Sequence, residues 1–296
     1  MTFITAGNAV SVGFEHTERA GKSGGIWFMV KRTISGAVLI AVAFAAFLFG
    51  GYVLLCLTAF LSVLGMFELF RVFQMEKTPQ AFLGYLAAIL YDLSLLAKEP
   101  ERFLLPGLCI FLLLTMILYV LTFPKVKVGQ MICVPFAFLY VAFLFGFLYK
   151  IRILDGGLYL VWIVLLGAWG SDTFAYLAGV LFGKHKAFPR LSPKKTWEGC
   201  VGGVLGASAI GAVYGLCVSS KLPSFDPVPA WVVLAVVCAC SAVLSMFGDL
   251  TASAIKRDHS VKDYGRLIPG HGGVLDRFDS VLFTAPAVYL LIVAFL

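Results

Sequence analysis

Long apolar stretches alternate with short polar segments along the chain, a pattern typical of a protein that crosses a membrane several times. A helix needs about 20 apolar residues to cross a hydrocarbon core roughly 30 Å thick, and lipid offers no partners to backbone polar groups. The pattern therefore predicts an all-α polytopic membrane protein. Its nine candidate transmembrane helices span 33–49, 52–70, 80–97, 103–123, 128–149, 157–182, 197–219, 229–255 and 275–296.

The first two spans are not separated by any charge, because residues 33–67 contain none. They form either one overlong helix or a hairpin that turns at Gly50 and Gly51. With the hairpin and a cytoplasmic N-terminus, 18 of the 23 Lys and Arg residues lie on the cytoplasmic side, whereas one long helix leaves only 14 there. Because cytoplasmic loops are enriched in basic residues, the hairpin and the cytoplasmic N-terminus are the better prediction.

The same pattern divides the chain into three parts. Residues 1–32 are predicted to be a polar cytoplasmic leader without the apolar core of a signal peptide, and residues 33–150 to be N-terminal transmembrane helices. Residues 151–296 are predicted to be a C-terminal catalytic transmembrane region. Its two cytoplasmic loops are expected at 183–196 and 256–275, which would place an active site at the cytoplasmic membrane face.

Composition and charge agree with this class of protein. Hydrophobic residues make up 60% of the chain and charged residues 13%, whereas an average soluble domain carries about 25% charged residues. These values exclude a disordered chain, a collagen-like chain, a coiled coil and an ordinary soluble enzyme. The net charge of +7 follows from the basic cytoplasmic loops, so it gives no evidence for a nucleic-acid partner. The seven cysteines form no CxxC motif, and we interpret them as small core fillers.

Charges of both signs gather in residues 245–279. A loop that only anchors a chain to anionic lipid would be basic, whereas this segment holds as many acids as bases. Such a mixture suits a site that binds metal ions through carboxylates and phosphates through basic side chains. The basic residues are Lys256, Arg257, Lys262, Arg266 and Arg277, and the acidic residues are Asp249, Asp258, Asp263, Asp276 and Asp279.

The helix before this segment carries a polar stripe. Ser245, Asp249, Ser253 and Lys256 are spaced so that they share one face of the eighth predicted helix. An acidic residue within a transmembrane span is costly and by default indicates function. Alternatively, the helix end lies in the interface and Asp249 pairs with Lys256 or Arg257. For Asp249 alone both interpretations stay open, and the neighbouring segment favours function.

That neighbouring segment, LIPGHGG at 267–273, predicts a rigid turn before the last helix. Its three glycines would let backbone N–H groups approach an oxyanion, and a helix N-terminus adds partial positive charge. Asp276, Arg277 and Asp279 follow on the first turn of that helix. Asp276 could also be an ordinary first-turn carboxylate that complements the helix dipole, and a lone His271 is more often structural than catalytic. The three glycines are Gly270, Gly272 and Gly273.

A second polar region combines Asp172 with residues 184–198. Lys194 and Lys195 precede a predicted helix start at Thr196, with Glu198 in the first turn. The paired lysines could bind phosphates, although the positive-inside rule alone also explains lysines at a cytoplasmic loop.

Residues 253–279, SAIKRDHSVKDYGRLIPGHGGVLDRFD, resemble the signature of the bacterial phosphatidate cytidylyltransferases, or CDP-diacylglycerol synthases. Every fixed position of that signature is met at its spacing across these 27 residues. Ser171-Asp172 and SPKKTWEG at 192–199 are similar to further stretches of the family. The resemblance therefore covers about 160–296, whereas the N-terminal spans resemble the family only in being apolar.

The resemblance implies a reaction in which CTP and phosphatidic acid give CDP-diacylglycerol and pyrophosphate, for phospholipid biosynthesis. It also implies a multi-pass protein of the bacterial inner membrane that forms a homodimer and uses Mg²⁺, with a second cation possible. Because the lipid phosphate is already a nucleophile, in-line attack on the α-phosphorus of CTP mainly needs positioning and charge neutralisation.

The same resemblance assigns roles to individual residues. It implies that Asp249 and Asp276 are metal ligands and that Asp172, Asp263 and Asp279 have metal-binding or orienting roles. Phosphates of the two substrates would be held by Lys194, Lys195, Lys256, Arg257, Lys262 and Arg277. Close backbone approach would come from Gly270, Gly272 and Gly273, an orienting hydrogen bond from His271, and further substrate contacts from Ser192, Glu198 and Ser253.

Three other kinds of protein compete with this interpretation. A CDP-alcohol phosphotransferase is disfavoured, because Asp155-Gly156 is not followed by the Ala-Arg of that family's pattern. A CTP-dependent lipid kinase is closer in chemistry, and labelled CTP would distinguish it. A transporter or channel would spread charges near the midplane of several helices, whereas here they crowd one predicted face.

Overall fold

The computed structural model describes residues 36, 38, 40–265 and 272–296. The described chain is mostly helical, which confirms the all-α polytopic class. Its helices are α1 (Ile40–Phe49), α2 (Gly51–Val72), α3 (Pro79–Ser94), α4 (Glu101–Thr122), α5 (Val128–Arg152), α6 (Gly157–Phe182), α7 (Trp197–Lys221), α8 (Ala230–Asp258) and α9 (Leu275–Phe295).

Seven of these helices in the described chain are long and apolar enough to cross a membrane. The two others are α3, which has 16 residues, and α1, whose described part is a shorter apolar helix. The nine helices fall at the nine predicted spans, but a count of nine crossings stays a prediction.

The chain breaks between α1 and α2 at the predicted position. Gly50 and Gly51 have φ angles of 59° and 48°, a left-handed conformation that glycine adopts without steric cost. The Arg152 side chain donates to the carbonyl oxygens of Phe47 at 3.0 Å and Leu48 at 3.3 Å. These bonds satisfy carbonyl groups that the end of α1 leaves without helical partners.

Small residues bring the helices of the C-terminal half together. One buried face of α7 consists of Gly199, Gly203, Ala207, Gly211 and Gly215, spaced four residues apart. A Cβ atom at Gly211 would lie 2.6 Å from the Leu234 carbonyl oxygen of α8. Such close backbone approach lets α7 pack tightly on α8 at Gly211 and Gly215, while Gly199 and Gly203 pack on α6.

Polar segments collect at one end of the helix bundle, which we call the polar end and define as residues 73–78, 123–127, 183–196 and 259–265 with 272–274. Gln130 Nε2 donates to the Phe73 carbonyl oxygen there, at 3.3 Å. At the opposite end, Lys150 pairs with Glu101 at 3.2 Å. Both ends of the bundle therefore carry polar residues, and the candidate site residues lie near the polar end.

The loop predicted at 183–196 contains a small hairpin. Strands β1 (Lys186–Phe188) and β2 (Ser192–Thr196) pair antiparallel, with Lys186 opposite Thr196 and Phe188 opposite Ser192. The predicted helix start at Thr196 is confirmed, because its Oγ1 accepts a hydrogen bond from Gly199 N at 3.2 Å. The hairpin places Lys195 against the bundle, where its Nζ lies 2.6 Å from Asp249 Oδ2.

The cysteines are free thiols, as expected, but the core-filler interpretation holds for only some of them. Cys133 and Cys238 are buried and Cys200 is half-buried. The other four are exposed on the helix surfaces, so their apolar surroundings would be lipid rather than core. These four are Cys56, Cys109, Cys217 and Cys240.

Candidate active site

Four aspartates from three helices line one cavity of about 420 Å³ near the polar end, which we call the aspartate cavity. α6 supplies Asp172, α8 supplies Asp249, and the first turn of α9 supplies Asp276 and Asp279. Arg277, Trp169 and Phe278 also line it. The structure thus brings together the two predicted metal ligands and two of the three further aspartates that sequence analysis selected.

Asp276 is the most firmly held of the four. Its side chain is 4% exposed, and its Oδ1 lies 2.7 Å from Lys256 Nζ. Its Oδ2 accepts hydrogen bonds from Tyr264 N at 2.8 Å and from Gly273 N at 3.0 Å. Asp276 therefore fixes the backbone at two points within the signature segment, Tyr264 and Gly273, in agreement with the first-turn interpretation, while it also lines the cavity.

Asp249 pairs with a lysine from a distant part of the chain. The alternative interpretation paired it with Lys256 or Arg257 of its own helix. Instead its Oδ2 lies 2.6 Å from Lys195 Nζ at the base of the hairpin, and Lys256 binds Asp276. This ion pair joins the two polar regions that sequence analysis treated separately.

Asp279 and Asp172 complete the negative wall of the aspartate cavity. Asp279 is 8% exposed, and its Oδ1 accepts a hydrogen bond from Ser280 N at 2.7 Å. It lies close enough to Asp249 and Asp172 for their charges to interact. Among the described residues, however, no three His, Cys, Asp or Glu side chains are grouped as a ready metal site.

A second cavity of about 400 Å³ shares Asp172 with the first, and its basic wall consists of Lys186, Lys194 and Lys195. We call it the lysine cavity. Lys186 was not among the predicted site residues, although it lies in the polar region 184–198. The shared aspartate and the Lys195–Asp249 pair make the two cavities neighbours, with opposite charges on either side of one boundary.

An apolar groove of about 330 Å³ lies beside the lysine cavity, between α7 and α8. The two share Cys200 and Met246 in their walls. Val201 and Leu205 of the groove are 57% and 65% exposed on the surface of α7. A basic cavity therefore continues into an apolar groove along the outside of the bundle.

A third, polar cavity of about 510 Å³ is lined by Arg71 and by residues 261–263 and 265. It includes the predicted residues Lys262 and Asp263. Gly272 has a φ angle of 86° beside them, and a Cβ atom there would lie 3.0 Å from Asp276 Oδ2. A larger residue at this position would therefore have a strained backbone conformation and a tight contact with Asp276.

Other predicted site residues lie apart from these cavities. Glu198 binds His185 instead, with 2.6 Å between Oε1 and Nδ1, so it holds the start of the hairpin. Ser192 lies in β2, and Ser253 and Arg257 lie on α8 outside the walls of the three cavities. Gly270 and His271 fall outside the described residues.

Tyr264 stands at the centre of the signature segment and is 1% exposed. Burial raises the pKa of its hydroxyl well above the ordinary value, and nearby Tyr140, Asp276 and Asp279 raise it further. The neutral hydroxyl donates to the Ala252 carbonyl oxygen of α8 at 3.1 Å, and the ring faces Lys256 Nζ at 5.4 Å from its centroid. Tyr264 therefore anchors the segment to α8.

Glu68 and Arg71 of α2 also contact this segment, and sequence analysis missed both. Glu68 accepts hydrogen bonds from Val274 N and Leu275 N, and Arg71 donates to the Tyr264 carbonyl oxygen. The signal was present: Glu68 is an acidic residue inside a predicted span, where an ionisable group by default indicates function.

A sequence profile of the Cytidylyltransferase family matches residues 30–295. The chain belongs to this family. The resemblance found in the signature is therefore confirmed, and it extends over the N-terminal helices, which sequence analysis had matched only by their apolar character.

Several curated relatives are named phosphatidate cytidylyltransferase. The Bacillus subtilis protein is 31% identical over 277 residues, which cover 90% of this chain and 98% of the relative. The Thermotoga maritima protein is 32% identical over 260 residues, 81% of this chain and 90% of the relative. A Staphylococcus epidermidis protein is 30% identical over 275 residues, 90% of this chain and 99% of the relative.

Proposed function

We propose that this protein is a membrane-embedded nucleotidyltransferase that transfers the cytidylyl group of CTP to phosphatidic acid. The products are CDP-diacylglycerol, for phospholipid biosynthesis, and pyrophosphate. One observation carries the proposal. This chain belongs to the Cytidylyltransferase family, and its aspartate cavity, lysine cavity and apolar groove lie side by side at one end of the helix bundle. This arrangement suits a reaction between a charged nucleotide and a lipid phosphate.

The chemistry asks little of the protein beyond positioning. A phosphate oxygen of the lipid attacks the α-phosphorus of CTP, a new P–O bond forms in line, and the bond to the β-phosphate oxygen breaks. The nucleophile is already ionised, so no side chain has to remove a proton. The residues must hold two anions together and neutralise their charge, which is the main task in phosphoryl-type transfer.

The aspartate cavity fits a divalent cation of the kind that carboxylate oxygens bind, Mg²⁺ first among them. Asp249 and Asp276 would be its ligands, with Asp172 and Asp279 as further oxygen donors on the same cavity. Asp276 Oδ1 accepts a hydrogen bond from Lys256, which leaves a second lone pair for a cation, while Oδ2 keeps its two backbone bonds. When bound, the cation would neutralise charge on the CTP phosphates.

The lysine cavity and the apolar groove suit the lipid substrate. The phosphate of phosphatidic acid would be bound by Lys186, Lys194 and Lys195, and an acyl chain would lie along Val201 and Leu205. The lysine cavity borders both the aspartate cavity and the groove, because it shares residues with each. A lipid could therefore reach the site sideways from the bilayer while CTP enters from water.

The membrane arrangement is part of the proposal. The basic residues of the polar end favour placing it in the cytoplasm, where CTP is available, with nine crossings and a cytoplasmic N-terminus. We further propose the bacterial inner membrane as the location and a homodimer as the assembly. Cysteines introduced at Lys125 and Lys186 should then react with impermeant thiol reagents from the cytoplasmic side alone.

Position-specific labels in CTP test the reaction. The purified protein in detergent micelles is given phosphatidic acid, Mg²⁺ and CTP labelled at either the α- or the γ-phosphate. We expect the α-label in the lipid and the γ-label in pyrophosphate. A γ-label in the lipid would instead show a CTP-dependent lipid kinase, and no label in the lipid from either nucleotide would refute both activities.

A further inference from the structure

The segment that carries Asp276 is held at its base by a helix from the other half of the chain. Glu68 lies in α2, some 200 residues away in sequence, and its side chain is fully buried. Its Oε1 accepts a hydrogen bond from Val274 N at 3.0 Å, and its Oε2 accepts one from Leu275 N at 2.9 Å. One carboxylate thus binds two consecutive backbone amides where α9 begins.

The charge of Glu68 matches what these amides offer. The first N–H groups of a helix have no helical partners and carry partial positive charge, so an anion is stabilised there. A buried carboxylate is costly unless hydrogen bonds compensate for lost hydration. Here two backbone bonds supply that compensation, and Glu68 acts as an N-terminal cap provided by a different helix.

The glycines of the signature segment leave room for this carboxylate. A Cβ atom at Gly265 would collide with Glu68 Oε1, and one at Gly273 would lie 2.5 Å from Glu68 Oε2. The two glycines also approach each other, because a Cβ atom at Gly265 would lie 3.1 Å from Gly273 Cα. The described residues on either side of 266–271 therefore meet at Glu68.

Arg71, one turn further along α2, holds the same segment from its other side. Its Nη2 donates to the Tyr264 carbonyl oxygen at 2.7 Å. Tyr264 N in turn donates to Asp276 Oδ2 at 2.8 Å, and Gly273 N donates to the same oxygen. A continuous set of hydrogen bonds thus runs from α2 to the Asp276 carboxylate.

We propose that Glu68 and Arg71 are positioning residues that set the place of Asp276 and of the N-terminus of α9. The proposal rests on the cytidylyltransferase function proposed above, since that function gives Asp276 its task. Its consequence is that α2, from the half of the chain without the signature, is part of the catalytic machinery rather than only a membrane anchor.

Two variants and a matched control test the proposal in the purified full-length protein. Glu68→Gln keeps the shape of the side chain but turns an amide NH₂ toward a backbone N–H. Arg71→Ala removes an exposed side chain whose loss leaves the apolar core intact. Glu101→Gln makes the same chemical change as the first variant at the opposite end of the bundle, where Glu101 pairs with Lys150.

Steady-state kinetics for CTP and hydrogen–deuterium exchange are measured on all three. We expect Glu68→Gln to lower kcat/KM at least tenfold and Arg71→Ala about threefold, with Glu101→Gln within twofold of wild type. Amide exchange should be at least tenfold faster in Glu68→Gln at residues 273–277 and unchanged in α4 and α7. A merely structural role would instead raise exchange throughout the bundle.

Each outcome decides the matter. Activity of Glu68→Gln equal to that of Glu101→Gln, or faster exchange spread over all helices, would overturn the proposal. If Glu68→Gln does not fold, Arg71→Ala decides, and wild-type kinetics with wild-type exchange at 261–265 would overturn it. If the wild-type protein incorporates no cytidylyl label, the proposed function fails, while local exchange at 273–277 still tests the two positioning residues.

Discussion

The aspartate cavity and the lysine cavity are neighbours, but their side chains are held with very different firmness. Asp276 and Asp279 are buried, and each accepts hydrogen bonds from fixed backbone amides. Lys186 and Lys194 are exposed and lie on a two-stranded hairpin. The wall of the aspartate cavity is therefore preorganised, and we call it the firm wall, whereas the lysine wall of the neighbouring cavity can adapt.

This difference matches two steps of one reaction. Charges that are fixed before the reaction stabilise a transition state without reorganisation, so the firm wall suits the chemical step. An adaptable basic surface suits a phosphate that arrives on a lipid and must leave with a new headgroup. Asp172 and the Lys195–Asp249 pair lie at the boundary between the two cavities.

The largest effect is expected from the firm wall. Asp276→Asn removes the negative charge and puts an NH₂ group in place of one carboxylate oxygen. The lost oxygen is either Oδ2, which accepts two backbone hydrogen bonds, or Oδ1, which binds Lys256. We expect kcat/KM to fall by at least about a hundredfold, as for loss of one electrostatic contact to a transition state. Asp249→Asn should behave alike. Incorporation of labelled cytidylate at saturating Mg²⁺ measures both effects.

The control for these variants is Asp155→Asn, which makes the same change in the segment between α5 and α6 at the opposite end of the bundle. It should keep wild-type activity. Because the asparagine in Asp276→Asn still offers one acceptor oxygen, that variant should remain folded in detergent, as size-exclusion profiles would show. Wild-type turnover by either Asp276→Asn or Asp249→Asn would refute the ligand assignment and the contrast between the cavities.

A smaller effect is expected at the boundary. Lys195 is 22% exposed and pairs with Asp249, whereas Lys194 next to it is exposed. Lys195→Gln leaves Asp249 without its counter-charge, and we expect kcat/KM to fall about 30-fold, roughly 2 kcal/mol of transition-state stabilisation. Lys194→Gln should cost about threefold and should be mimicked by added salt, which screens exposed charges.

Titration of both lysine variants with salt separates the two roles. Equal losses in Lys195→Gln and Lys194→Gln, vanishing together at high salt, would mean that the hairpin lysines only attract anions. The boundary would then have no catalytic part, and the two cavities would work independently.

Lys262 tests whether a basic residue of the signature serves catalysis or membrane attraction. It lines the third polar cavity with Arg71 and Asp263. Attraction to anionic lipid is worth about 1 kcal/mol per basic residue and is screened by salt. A lysine that holds a reacting phosphate is worth more, so Lys262→Gln should lower kcat/KM for CTP at least about tenfold, roughly 1.4 kcal/mol.

The loss in Lys262→Gln should persist in moderate salt and in neutral micelles without anionic lipid. Lys77→Gln, an exposed lysine of the same polar end, is the matched control and should stay near wild type in neutral micelles. A loss that disappears in neutral micelles would assign Lys262 to membrane attraction.

Local patterns predicted the helices well, because each depends on a stretch of apolar residues that is visible in the sequence. The break at Gly50 and the helix start at Thr196 were also predictable, because each depends on one local residue type. The break needs a glycine that adopts positive φ, and the helix start needs a side chain that caps the first turn. The mixed charges of residues 245–279 likewise predicted that Asp249, Asp276 and Asp279 lie together, and all three line one cavity.

Long-range partners were not predictable in this way. Nothing in the spacing of residues tells that Lys195 pairs with Asp249, or that Glu68 caps a helix 206 residues later. The partner of Glu198 was not predictable either, because its pairing with His185 depends on the fold of the hairpin loop. Which charges meet is decided by helix packing, and that packing brings together helices far apart in the sequence, such as α2 and α9.

The smallest expected effect comes from the apolar groove that extends the adaptable cavity. Leu205→Trp enlarges a side chain in the groove wall, and Leu216→Trp makes the same change further along α7, outside that wall, at a residue with 61% exposure. If an acyl chain lies in the groove, Leu205→Trp should weaken the preference for long over short acyl chains about threefold, because a shortened groove loses the contact of about one methylene group, worth about 0.8 kcal/mol at full burial. The KM for CTP should not change, since the proposal places CTP at the aspartate cavity and not at this groove. Competition between two phosphatidic acids of different chain length measures the ratio directly, which removes differences in enzyme amount. An identical ratio in Leu205→Trp and Leu216→Trp would place the acyl chains elsewhere and would leave the lysine cavity as a headgroup site alone.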